Sequence, residues 1–451
     1  MKRLFRLFIL SALLLAPITA QAQSSGLSVI RDAEIENYLA SINRQVFEAA
    51  GLPPENIRII LVASDQLNAF VSGGMNIFIY TALLQAAENP LEIVGVMAHE
   101  TGHIAGGHLV RGREAMENAQ TESLIATLIG VAAGIAAGNA QAGTAIIGGG
   151  QQAALTNFLS FSRQQESSAD AAGMSFLDRA KISSSGLLGF MEKLQDQELL
   201  PPDRQSQFVR THPLTRDRIE SLRAHLDNSP LKDVVPPVSW VEGYKRMQAK
   251  LSGFMDPMQA LQKYPATDTS FAGRYGRAIA LFKRNQIDQA LPILDKLIAE
   301  EPNNPYLYEL KGQMLFESSR VAESIAPYAK SVALKPDAAI IEIAYAHALV
   351  ESNDTARLPE AINRLQNAQR REPKNSLDWR LLATAWGRQG EEGLSSYALA
   401  EEAAIKGDVK LAKFQIGRAE RMLQQGSPYR LKLIDLKDEV KDIERDQANR
   451  K

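Results

Sequence analysis

His99-Glu100-Thr101-Gly102-His103 sets two imidazoles four residues apart, with a carboxylate directly after the first. On an α-helix, positions i and i+4 lie one above the other, so His99 and His103 can converge on one ion. Glu100 then projects beside them, within reach of a water at that ion. This is the chemistry of metal-assisted hydrolysis, in which a Lewis acid activates water and a carboxylate carries the proton. Imidazole and carboxylate ligands with one open position favour zinc, one ion per chain. The 451 residues contain six histidines and no cysteine. Thiolate-bound zinc, iron–sulfur clusters, thiol nucleophiles and disulfide scaffolds are therefore excluded, and any metal must be held by His, Asp and Glu.

The third ligand decides the class of site. In the pattern HExxHxxGxxH, Gly106 fits but the last position holds Leu109, and His108 is one residue off. One step turns a helical side chain by about 100°, so His108 does not stand in for that ligand. The other solution takes a glutamate from a second helix. Arg163-Gln164-Gln165-Glu166-Ser167-Ser168-Ala169-Asp170 offers one, inside a helical pattern running from about Ala153 to Arg179. Glu166 and Asp170 share a face, which suits Glu166 as the ligand and Asp170 as the holder of a histidine N–H or of the reacting water.

The elements that position these groups are legible. Asn89 can cap a helix with Pro90 at its first position and Glu92 in its first turn, and Gly106-Gly107 ends it. Arg58 to Val62 reads as a buried strand. Asn68 to Val71, Gly73-Gly74 and Met75 to Tyr80 read as a hairpin. The strand at Asn68 to Val71 is either an exposed edge that pairs with an extended substrate or an ordinary internal strand. Residues 124–150 are nearly uncharged and rich in Ala, Gly, Ile and Val. Three readings stand for them: a mobile lid, an apolar surface for unfolded protein or a peripheral membrane contact, and a buried helical hairpin.

Around this core the chain divides into four parts. Residues 1–22 carry Lys2, Arg3 and Arg6, an apolar run from Leu7 to Leu15, and Ala20-Gln21-Ala22, the order of a cleaved secretory signal. The mature protein is expected outside the cytoplasm, in the periplasm of a Gram-negative source. No cysteine is present to carry a lipid anchor. Residues 23–228 form the metallopeptidase domain, 229–240 a proline-rich linker and 241–451 a helical repeat domain. In the repeats, Ala290, Ser324 and Ala361 each precede a proline (Pro302, Pro336, Pro373) by 12 residues, and the prolines are 34 and 37 residues apart. That period, with Gly312, Trp379 and Trp386 in the first helices, resembles the tetratricopeptide repeat, and Pro428 to Lys451 reads as a charged capping helix. The fold class is thus mainly α with a small β-hairpin or sheet, a zincin-type domain followed by an α-solenoid. Lys+Arg 50 against Asp+Glu 52 offers no phosphate-neutralising surface, which argues against nucleic acid as a partner.

HExxH, then RxxExxAD, then Thr211-His212-Pro213, with Asn68-Ala69-Phe70 and Gly73-Gly74 upstream, resembles the gluzincin metallopeptidase family that includes the prenyl-protein endopeptidase and its bacterial relatives. The resemblance implies His99, His103 and Glu166 as zinc ligands, Glu100 as catalytic base and Asp170 as a second acidic catalytic residue. It also implies His212 as a regulatory fourth ligand that occupies the open position. Secreted, repeat-bearing members imply quality control of unfolded or misassembled outer-membrane proteins, with the repeats docked on the β-barrel assembly machinery. The alternative is a chaperone or assembly factor with a latent or structural zinc site, and a third reading is a metal-free repeat adaptor. His225 and His347, inside helical patterns, read as ordinary structural histidines.

Overall fold

The computed structural model describes residues 28–108, 111, 162–201 and 204–449. The signal expected at 1–22 and the apolar stretch at 124–150 lie outside the described residues. The chain is mainly helical with one small sheet, a zincin-type domain followed by an α-solenoid.

Four strands, β1 (Val29–Ile30), β2 (Arg58–Val62), β3 (Ala69–Ser72) and β4 (Asn76–Tyr80), form a sheet in the order β1-β2-β4-β3. β2 runs parallel to β4, while β1 and β3 are antiparallel to their neighbours. Among the described residues β3 is therefore an edge. Tyr80 N donates to the carbonyl of Asn68 at 3.0 Å. By the alternation of antiparallel pairing, Ala69 and Val71 then turn their N–H and C=O groups away from β4, to the free edge. Ile77 and Ile79 face the core, whereas Phe78 on the other face stacks on Phe70 with ring centroids 4.8 Å apart.

Helix α1 (Ala33–Ala49) covers the inner face, and α2 (Thr81–Ala86) leads from the sheet into α3 (Pro90–Ala105). Asn89 caps α3, its Oδ1 accepting from Leu91 N at 2.9 Å. Every residue from Pro90 to Gly102 is buried, so α3 must be packed on all sides. α4, described over 162–179, and α5 (Ser185–Leu194) supply two of those sides. At Gly102 a Cβ would lie 2.6 Å from the carbonyl oxygen of Ala169, closer than any side chain tolerates. Gly102 is thus what lets the backbone of α4 pass against α3. Two further helices, α6 (Gln207–Thr211) and α7 (Arg216–Asn228), close this half.

The helix α8 (Val238–Met255) begins within the 229–240 stretch expected to be linker, and its Tyr244, Met247 and Leu251 join the peptidase core. Pro236 and Pro237 signal a stiff connection, but the 3–4 spacing of these apolar residues gives the helix a face that must be buried. Beyond it come helices at Pro257–Lys263, Phe271–Lys283 and Pro305–Glu317, and then the second helices of the repeats. Those span Ile287–Glu300, Val321–Leu334 and Leu358–Arg371. Ala290, Ser324 and Ala361 are fully buried in them, where small side chains let paired helices approach. Helices at Ala339–Glu351, Ser376–Arg388, Glu392–Ile405 and Val409–Met422 continue the stack, and Pro428–Asn449 covers its end. No described helix is long and apolar enough to cross a membrane.

The two halves are joined by buried charge. Lys250 Nζ lies 2.8 Å from Asp32 Oδ2 and 3.0 Å from Glu34 Oε2, and Tyr275 donates to Glu34 at 2.6 Å. Glu309 Oε2 is sealed from solvent with no hydrogen-bond partner among the described residues. Burial pushes Glu309 up from 4.5 to about 7, with Lys250 opposing and Asp32, Glu34 and Glu36 adding to the rise.

Lys250→Met takes the buried ammonium from two part-buried carboxylates and is expected to cost about 1–3 kcal/mol in chemical denaturation. Between about pH 4.5 and 7 the folded protein keeps a proton on Glu309 that the unfolded chain has released. That residue's contribution to stability therefore falls as pH rises through this window. Glu309→Gln is expected to raise the melting temperature at pH 8 and leave it unchanged at pH 4. Thermal scans at the two pH values check this, and equal shifts at both would contradict it.

Candidate metal centre

His99, His103, Glu166 and His212 present ligand atoms that all lie within 4.8 Å of one another. The two histidines project from one face of α3, Glu166 comes from α4, and His212 follows α6. His103 Nε2 is 3.1 Å from His99 Nε2, and His212 Nδ1 is 3.3 Å from the same nitrogen. Glu166 Oε2 stands 3.1 Å from His212 Nδ1 and 3.4 Å from His99 Nε2, while its Oε1 is 3.4 Å from His103 Nε2. A tetrahedron with metal–ligand bonds of about 2.0–2.1 Å has edges of about 3.3 Å. Three imidazoles and a carboxylate at this spacing are a donor set that fits a zinc-sized cation.

The electrostatics make the same demand. Burial works against charge on every group here. Hydrogen bonds to Asp170 and Glu166 nevertheless lift His99 to about 10. His103 is held down at about 2 by burial and by the charge on His99. Burial would raise Glu166, but His212 and His99 hold it well below the usual carboxylate range. The carboxylates thus require positive charge at this point, which a divalent cation supplies in place of imidazole protons.

Behind the ligands, His99 Nδ1 donates to Asp170 Oδ1 at 2.8 Å. Asp170 in turn receives Arg218 Nε at 2.6 Å on Oδ2 and Arg218 Nη2 at 2.9 Å on Oδ1. Burial would raise Asp170, but His99 and Arg218 hold it at about 2. With both oxygens engaged and ionised, Asp170 orients His99 and does not face the reacting side. Arg218 Nη1 also reaches Glu166 Oε2 at 3.2 Å and donates to the carbonyl of Pro213 at 2.7 Å.

Glu100 is the exception to this pairing. It is fully buried, burial pushes its carboxyl up, and neither oxygen has a hydrogen-bond partner among the described residues. His212 Nε2 lies 3.5 Å from its Oε1. An orphaned buried carboxyl beside a metal site is placed for a ligand that arrives with the reaction. His212 Nε2 also donates to the carbonyl of Ala69 at 3.2 Å, and its ring lies against Phe208 with centroids 4.8 Å apart. The imidazole therefore covers the centre and the free edge of β3 together.

The structure brings together all six residues singled out from sequence: His99, Glu100, His103, Glu166, Asp170 and His212. His225 lies beside Asp178 at 2.9 Å, and His347 against Phe316, both away from the centre. Arg218 was missed, although a basic residue flanking the buried Ile219 and Leu222 of α7 is its signal. His108 was set aside as a ligand, and its Nδ1 in fact meets His103 Nδ1 at 3.0 Å, behind the centre.

A family model described as peptidase family M48 matches residues 33–226, and one described as tetratricopeptide repeat matches 275–339. The chain is 26% identical to the beta-barrel assembly-enhancing protease of Yersinia pestis, over 88% of this chain and 82% of that protein. To the protein of the same name from Escherichia coli (strain K12) it is 25% identical, over 88% and 81%. Metalloprotease LoiP of Escherichia coli (strain K12) is 28% identical over 40% of this chain and 66% of that one.

Removing Arg218 takes the buried guanidinium from Asp170 and Glu166 and leaves them only their histidine partners, so Arg218→Met is expected to lose about 3–5 kcal/mol of stability in urea denaturation. Arg218→Lys should recover only part of it, lacking the planar fork. A methionine variant as stable as wild type would show the pairing to be neutral.

Proposed function

We propose, from the premise that this chain is a metalloendopeptidase with a family M48 domain at residues 33–226 and protein-binding repeats behind it, that it is a zinc enzyme of outer-membrane protein quality control. Cleavage of residues 1–22 on export would leave it in the periplasm. There, the domain at 23–228 would hydrolyse unfolded or misassembled β-barrel proteins while the repeats at 241–451 dock on the assembly machinery. Relatives named for β-barrel assembly over 88% of the chain support this reading, as does the repeat array. The single observation that carries the catalytic part is the convergence of His99, His103 and Glu166 beside the carboxyl of Glu100, which has no hydrogen-bond partner among the described residues.

His99, His103 and Glu166 would hold the zinc, with His212 as the displaceable fourth ligand. Bound there, zinc supplies Lewis acidity toward a peptide carbonyl and toward water. The chain's own groups do the rest. Glu100 takes the proton of the attacking water on a carboxyl oxygen and passes it to the leaving amine. Asp170, clamped by Arg218, keeps His99 Nδ1 protonated so that Nε2 faces the ion. An extended substrate pairs with the outward N–H and C=O groups of Ala69 and Val71, a mode that reads backbone more than side chains and suits a broad substrate range. The carbonyl of Ala69 is the one His212 occupies, so the imidazole competes with substrate backbone as well as with the ion's open position.

The seat of His212 also supports the second reading, an assembly factor whose site is held silent. Glu100→Gln is expected to retain zinc and lose about 10²–10⁴-fold in cleavage of casein or a misfolded barrel protein. Wild-type activity in that variant would overturn the peptidase mechanism. Full restoration of barrel assembly by Glu100→Gln in a deletion strain would favour the assembly factor. His212→Ala is expected to cleave faster at unchanged zinc content, and slower or equal cleavage would remove the blocking role.

A further inference from the structure

We propose that His108 is a positioning residue that sets the tautomer of His103 and thereby aims His103 Nε2 at the cation. The inference rests on the zinc reading above. The two histidines of α3 are braced differently. His99 gives its rear nitrogen to a carboxylate, Asp170. Among the described residues no carboxylate meets His103 Nδ1, which lies 3.0 Å from His108 Nδ1, with the rings 81° apart and their centroids separated by 4.9 Å.

Two imidazole nitrogens at hydrogen-bonding distance share one proton, and its position has consequences. A proton on His108 Nδ1 would make His103 Nδ1 the acceptor and force the hydrogen of a neutral His103 onto Nε2, pointing into the centre. Ligation through Nε2 requires the reverse: His103 Nδ1 donates, His108 Nδ1 accepts, and His108 carries its own hydrogen on Nε2. A neutral acceptor also adds no further negative charge beside Glu166, Asp170 and Glu100.

The local backbone is built for this contact. α3 ends at Ala105, and Gly107 reverses the chain with a φ of 62°. This brings a side chain five positions beyond His103 back over the helix end. A Cβ at Gly106 would lie 2.4 Å from His108 Nε2, so only glycine leaves room for the ring. His108 is buried, at 5% exposure. Its carbonyl accepts from Gln165 Nε2 at 3.2 Å, which ties it to the helix that carries Glu166 at the next residue.

The test is zinc affinity of the full-length protein, measured by competition with a chromophoric chelator, for wild type, His108→Leu and His108→Asn. Leucine fills the space without an acceptor and is expected to weaken zinc binding by about 10–100-fold. Asparagine, whose Oδ1 stands where Nδ1 of histidine does, is expected to restore most of the loss. A wild type that binds no zinc would overturn the zinc reading itself. With zinc bound by wild type, a leucine variant within about threefold of it, or an asparagine variant as weak as leucine, would overturn the role of His108 alone. Should a variant fail to fold by circular dichroism, imidazole nitrogen NMR of the zinc-loaded wild type decides. A proton on His103 Nδ1 supports the assignment, and one on His108 Nδ1 overturns it.

Discussion

The backbone of α4 crosses α3 where Gly102 meets the carbonyl of Ala169, and the spacing of that crossing sets everything built around it. Glu166 lies three residues before Ala169 and Asp170 one after, so both carboxylates reach the histidine face of α3. A side chain at position 102 would push the two helices apart, and a carboxylate side chain has little reach to recover the gap. The metal centre is therefore a product of helix packing, with ligands already held by buried, ordered elements before any ion arrives.

Within that packing, charge is distributed so that nearly every buried ionic group has a counterpart. Arg218 meets Asp170 and Glu166, and Asp170 meets His99. Such pairing is costly to assemble and more costly to break, since a lone buried charge keeps its desolvation penalty without compensation. At this centre Glu100 sits in the same environment with neither oxygen hydrogen-bonded among the described residues, its Oε1 3.5 Å from His212 Nε2. The contrast separates the groups that hold the site from the one we propose as the proton carrier.

The repeats are bound to the peptidase half by one buried and one surface ionic contact. Lys250 answers carboxylates at the start of α1, and Arg31 forms hydrogen bonds of 2.7 and 2.6 Å to Glu372 far along the stack. With Tyr244, Met247 and Leu251 completing the peptidase core, α8 belongs to both halves. A partner docked on the repeats would thus act on an element packed against α1, α2 and α3.

Local pattern alone determined a good deal of this protein. The capped helix carrying HExxH, the strand at 58–62, the hairpin and the phased repeats all follow from rules that act over a few residues: the 3.6-residue turn, alternation, and the turn chemistry of Gly and Pro. Glu166 was legible because it shares a helical face with Asp170. The tertiary structure alone decided that Asp170 turns to Arg218 and His99 rather than to the reacting side, that His212 covers the edge carbonyl of Ala69, and that His108 braces His103. It also decided that a proline-rich connection leads into a helix shared by both halves. Each of these is a contact between segments far apart in the chain or folded back across a turn. Its energy comes from packing and desolvation at a shared point, which residue spacing along the chain does not encode.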